Sequence, residues 1–152
     1  MDIHSFLQES RQEILTEAVA SLKRARLEHY EKAGTSQLRQ RLDDLLSLTI
    51  SAAAERNLAP MVAHANAVAM ERFEGGFDLA EVQTAFNVLE EVVWLRILNN
   101  LPSADQAEAL GLIGTILGAG KDALARRYVS LATQTHVPSL DLKALFSGTE
   151  GC

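Results

Sequence analysis

Cysteine is nearly missing from this sequence: Cys152, the last of 152 residues, is the only one. An intrachain disulfide is therefore impossible, and no clustered-cysteine zinc pattern exists. Prolines are scarce, at positions 60, 102 and 138, and each falls near an expected helix boundary. Aromatics supply only 5% of the residues, little of the material that favours strands. Positive charge is also in deficit, with 14 Lys and Arg against 20 Asp and Glu and a net charge of −6. That balance opposes a nucleic-acid partner. The one basic run, Lys23, Arg24 and Arg26, is followed by Glu28 and Glu31 and reads as a solvated helix face. No apolar stretch approaches the roughly 20 residues of a membrane span. The start Met1-Asp2-Ile3-His4 lacks the basic and apolar regions of a secretory leader. A soluble, cytoplasmic chain without membrane partner is the expectation.

What is abundant is hydrocarbon. Apolar residues make up 47% of the chain, with Ala and Leu dominant. Both enter helices at little cost, and a chain of this length can bury a full core without metal or disulfide. Apolar positions recur at spacings of three and four almost throughout, while strand-like alternation is absent. The expectation is an all-α single domain, an antiparallel bundle of about five helices joined by short connections. It occupies residues 1–136, with a C-terminal tail over 137–152 that has room for one short helix from Ser139 to Phe146.

The first expected helix runs from Ile3 or Ser5 to Lys32, with Asp2 or Ser5 as cap and a bend or break near Leu22 to Leu27. Gly34 ends it. The second spans Thr35 or Ser36 to Glu55–Asn57, and the third starts around Pro60 and closes at Gly75-Gly76. Asp78 with Glu81 three residues on has the form of a capping box opening the fourth helix. That helix, through Leu79, Phe86, Leu89, Val93 and Ile97, is apolar over most of its circumference, the mark of a central element. Ser103 opens the fifth, which runs to about Thr135.

Candidate sites are few. The four histidines are scattered, and no Glu has a His three residues later, which opposes the di-metal site some bundles carry. His64 lies beside an apolar stripe. Its functional readings are ligand, proton switch or phosphoacceptor; its ordinary reading, a partly buried His bonded to a neighbour, is favoured. No nucleophile elbow, phosphate loop or convergent acid–base set is present, so no catalytic residue, metal or cofactor is assigned. Gly111, Gly114 and Gly118 share one face of the fifth helix. Mid-helix glycines are costly, so that face is expected to meet something closely: a bulky helix of the same chain, or else a pocket floor or dimer seam. Intrachain packing is favoured. Trp94 is expected in the core or at its edge, with an interface anchor as the alternative, and Arg96 is expected to seek Glu90 or Glu91.

The segment from His64 to Val82 combines an Ala-rich helix, Arg72, the turn Gly75-Gly76, and the helix start Asp78-Leu79-Ala80-Glu81-Val82. It resembles the N-terminal domain of RsbRD-type proteins, the RsbT co-antagonists of bacterial stress signalling. The similar order of helices extends from about Leu7 to Leu131. The resemblance implies a non-catalytic sensory or regulatory domain, often dimeric, working through protein partners such as a kinase or an output-domain protein. It places Arg72 before the turn and Gly75 or Gly76 within it. The usual arrangement has an output module downstream; these 152 residues hold none, so the expectation is either a fragment of a longer protein or a stand-alone regulator. A second reading of the residues is a ligand- or cofactor-binding, globin-like helical sensor with His64 near the site.

Overall fold

A computed structural model describes residues 2–140. Among the described residues there are seven α-helices and no strand. They are α1 (Ile3–Glu9), α2 (Arg11–Arg24), α3 (Glu28–Ala33), α4 (Thr35–Glu55), α5 (Ala59–Glu74), α6 (Leu79–Asn100) and α7 (Ser103–Leu140). The expected tail helix and Cys152 lie largely or wholly outside the described residues.

The number exceeds five because the first expected helix is broken twice. Asp2 caps α1, its Oδ1 accepting from the Ser5 N–H at 3.3 Å. At Ser10 the backbone leaves the helical region (φ −91°, ψ 3°), which ends α1. The second break is sharper. Arg26 takes a left-handed conformation at φ 52°, and Leu27 is extended. A left-handed residue with a Cβ costs conformational energy, which the packing around the redirected α3 must offset. Tyr30 on α3 is 3% exposed as a result.

The remaining boundaries follow local chemistry. Asp78 and Glu81 form the reciprocal capping box at the start of α6. At the end of α5, Gly76 sits at φ 83°, where an L side chain is disfavoured. The Phe77 N–H then bonds the Arg72 carbonyl at 3.0 Å, and the Gly76 N–H bonds that of Phe73 at 3.2 Å. These two bonds make a Schellman closure, which fixes the Phe77 ring close to the last turn of α5.

One apolar core joins all the helices. Leu7, Ile14, Leu42, Leu46, Leu89, Ile97, Ile113 and Ile116 are among its fully buried members. Helices α2 and α4 run in opposite senses, since Arg11 reaches Asp43 and Ser47 while Thr16 meets Arg39. Helices α6 and α7 do likewise: Gln106 bonds the Leu98 and Leu101 carbonyls, and Lys121 bonds Asn87 and Glu90. The most extensive contact is between α5 and α7, and these two run in the same sense. Gly120 lies against Met61, and Tyr128 meets the Phe73 ring edge-on at 5.7 Å. A neighbour order that is antiparallel throughout, as short connections suggest, is therefore not what is built.

Candidate functional site

Three arginine-, histidine- and aromatic-bearing elements meet where α3, the middle of α4 and the α5–α6 turn converge. Arg41 follows Leu38 by three residues and precedes Leu45 by four, so it stands on the inward face of α4. Arg72 follows Ala69 by three and stands on the inward face of α5; it is 7% exposed. Both guanidinium groups lie over the Phe77 ring, Arg41 at 5.7 Å and Arg72 at 5.5 Å from its centroid. His29 stacks on the same ring at 4.5 Å, and Tyr30 meets it edge-on at 5.5 Å.

The charges here are unevenly partnered. Arg72 Nη1 donates to Glu71 at 2.6 Å. Glu81, itself buried, accepts from the Asp78 N–H at 3.4 Å as part of the cap. The same carboxylate faces His29 Nδ1 at 2.9 and 3.0 Å and the His29 N–H at 3.4 Å. Two carboxylate oxygens around Nδ1 identify it as the nitrogen carrying the proton. Arg41 is different. Gln37, with its amide oxygen turned toward Arg41, accepts from Nη2 at 3.2 Å. Nη1 is buried and has no hydrogen-bond partner among the described residues. Burial, and then the adjacent Arg72 charge, hold Arg41 below the usual guanidinium range.

A cavity of about 280 Å³ opens beside this cluster, with Arg41, Arg72, His64 and Tyr30 in its wall among aliphatic side chains. His64 is half-buried there, and desolvation lowers its pKa below the ordinary 6.5. Burial likewise pushes the Tyr30 hydroxyl up to about 12. Among the described residues, no group of three or more His, Cys, Asp and Glu is placed to hold a metal ion. Nor is any helix long and apolar enough to cross a membrane.

The other sequence candidates lie elsewhere, on the outer surface of α6 and α7. Trp94 is 41% exposed, and with Leu95 at 49% and Leu98 at 46% it forms an apolar outer face on α6. The expected core position for Trp94 is thus corrected. Trp94 follows Asn87 and Glu91, both exposed, along one stripe, while Val93 and Ile97 take the inward side. The glycine reading is corrected as well. A Cβ built on Gly111 or Gly118 meets nothing within 4 Å, and one on Gly114 meets only Glu90 Oε1 at 3.9 Å. Among the described residues, no helix packs closely on that face. The glycine that does receive close packing is Gly120, whose Cβ would lie 2.8 Å from Phe86 and 3.0 Å from Met61. Arg96 pairs with Glu17 of α2 at 2.8 Å rather than with Glu90 or Glu91, which sit six and five residues before it on α6 and so do not face it; Glu90 bonds Lys121 at 2.7 Å.

Comparison with known families settles the kinship. The family model of the RsbT co-antagonist protein rsbRD N-terminal domain matches residues 10–138. The chain belongs to this family. Its members are regulatory domains of stress-response signalling, and the match covers all of α2 to α6 and most of α7. No curated protein and no solved structure matches the chain. In this RsbRD N-terminal domain, Arg72 lies in the last turn of α5, which Gly75-Gly76 closes. Arg72 is more than a residue complementing a helix end, however: it is buried and shares Phe77 with Arg41. Arg41, Tyr30, Phe77 and the His29–Glu81 pair escaped the sequence reading. A cation inside an apolar stripe, Arg41 between Leu38 and Leu45, was the available signal.

Proposed function

We propose that this RsbRD N-terminal domain is a regulatory module with no catalytic centre of its own, acting through protein contacts and pairing with a second copy of itself. The pairing surface is the outer face of α6 together with the adjoining glycine face of α7. The observation that carries the reading is the exposed trio Trp94, Leu95 and Leu98 beside glycines that nothing among the described residues covers. Exposed large apolar side chains in one contiguous group mark interaction sites, and tryptophan is a frequent interface anchor. Glu90 bridges the two faces: it bonds Lys121 of α7 and stands one helical turn before Trp94. A twofold arrangement would seat each Trp94 against the other protomer's glycines, where backbone approach is unobstructed. Such pairing also gives the three mid-helix glycines their compensating reason.

Light-scattering mass measured across a concentration series tests this. The expected result is a dimer that Trp94→Asp and Leu98→Asp each convert to monomer, with melting of the dilute protein little changed. A protein that stays monomeric at high concentration, or a dimer indifferent to both substitutions, would remove the surface from consideration. The partner protein of the pathway then docks elsewhere on the paired module.

A further inference from the structure

The cavity beside Arg41 and Arg72 carries a second inference, independent of the pairing surface. We infer that it is a binding site for a small organic carboxylate with a compact apolar body, anchored on Arg41.

Three observations lead there. Arg41 keeps a buried guanidinium nitrogen without a hydrogen-bond partner among the described residues. A buried charged donor left unpaired is costly, and an incoming anion is the group that relieves it. The second cation, Arg72, lines the same cavity and shares Phe77 with Arg41. Two like charges around one ring repel, and an anion between or beside them reverses the sign of that interaction. Finally, the carboxylates in the cavity wall already have partners other than Arg41. Glu71 bonds Arg72 and is largely exposed, and Asp44 accepts from Gln40 at 2.9 Å at the surface. Neither hydrogen-bonds Arg41, although the Glu71 charge acts on it from a distance.

The remaining wall selects the ligand class. Leu42, Leu45, Val68, Val82 and Phe86 supply hydrocarbon. Inorganic phosphate presents acceptor oxygens on every side and gains nothing from that lining. A carboxylate with a hydrocarbon body places its one charged end on the guanidinium and buries the rest. At about 280 Å³ the space is near the low end of ligand pockets, which sets the body at the size of a single ring or a short branched chain. Bidentate pairing of guanidinium with carboxylate supplies the orientation.

Benzoate is the probe, with benzamide as its neutral counterpart and inorganic phosphate as the bare anion, all at matched ionic strength on the full 152-residue chain. Benzoate is expected to raise Tm in a saturable way, while benzamide and phosphate do not. Arg41→Met is expected to weaken benzoate binding by about tenfold to a hundredfold. It should also raise the Tm of the unliganded protein, since an unpaired buried cation is replaced by hydrocarbon. In the unsubstituted protein, the Arg41 Nε–H resonance should shift during a benzoate titration, a readout that holds even if the variant does not fold. A benzoate effect no larger than that of sodium chloride, an Arg41 resonance that stays still, or undiminished binding by Arg41→Met would overturn the site. Phosphate matching benzoate would overturn the carboxylate class.

Discussion

Arg41 and Arg72, drawn from two different helices, hold their guanidinium carbons 5.7 and 5.5 Å from the centre of the single Phe77 ring. The ring is placed there by the Schellman closure at Gly76, which delivers Phe77 directly back over the Arg72 turn. The ring face is the negative end of the aromatic quadrupole, so it lets two cations approach the same partly desolvated region. Phe77→Ala should therefore cost more than its half-buried position suggests, about 2–4 kcal/mol. Urea denaturation checks this; a loss below about 1 kcal/mol would show that the two cations do not depend on the ring.

Glu81 serves two structures at once, the α6 cap and the tie to His29 on α3. Removing it should cost about 1–3 kcal/mol, above the ~1 kcal/mol of an ordinary cap. Asp78→Ala is the comparison, because it breaks the cap and leaves His29 paired. Equal denaturation midpoints for Glu81→Ala and Asp78→Ala would mean the His29 bonds add nothing.

The glycines of α7 should divide by position. Gly120→Ala forces a Cβ to within 2.8 Å of Phe86 Cε1, so overpacking should lower stability by about 1–3 kcal/mol. Gly118→Ala meets open space in a single chain and should raise it by about 0.5–1 kcal/mol when measured at dilution. Melting temperatures of the two variants should move in opposite directions. Movement in the same direction would contradict the packing of α7 against α5 and α6.

Both tyrosines of the chain, Tyr30 and Tyr128, are buried, and burial pushes each up to about 12. Their unfolded value is near 10. Protons bind more tightly in the folded state, so this contribution is complete below about pH 10 and is lost as pH rises through about 12. Phenolate absorbance should accordingly appear together with loss of helical circular dichroism. Tyrosine ionisation complete by pH 10.5 with the helices intact would place both rings in water.

His64 supplies the acid-side counterpart. Its folded pKa lies below 6.5 because desolvation disfavours the imidazolium. The stabilising contribution is full above about 6.5 and declines as pH falls through the depressed folded value. His64→Gln should flatten the fall in Tm between pH 7 and 5 relative to the parent protein. Parallel curves for the two proteins would assign the acid sensitivity to other groups.

Much of the architecture could be read from spacing. The Asp78–Glu81 box, the Gly75-Gly76 stop, and the ends of α4 depend on backbone hydrogen bonds within a few residues, and local sequence controls those. The candidate site was less legible. Trp94 and Val93 are neighbours in an equally apolar helix, yet one faces out and the other in. Hydropathy alone does not separate them, because Trp94, Leu95 and Leu98 put large apolar side chains on the exposed side of α6 as well as the buried one. Gly120 and Gly118 look alike in sequence too, and only the approach of Phe86 distinguishes them.

By itself, the order of residues determined that the chain is helical, where most helices start and stop, and which family it belongs to. These are matters of propensity, capping and short-range period. Only the tertiary structure decided that the first expected helix breaks at Ser10 as well as near Leu27, that α5 and α7 run in the same sense, and that Arg41 meets Arg72 across Phe77. Those outcomes turn on which buried surfaces fit one another across residues far apart in the chain, and pairwise shape at that distance leaves no periodic trace in a single sequence.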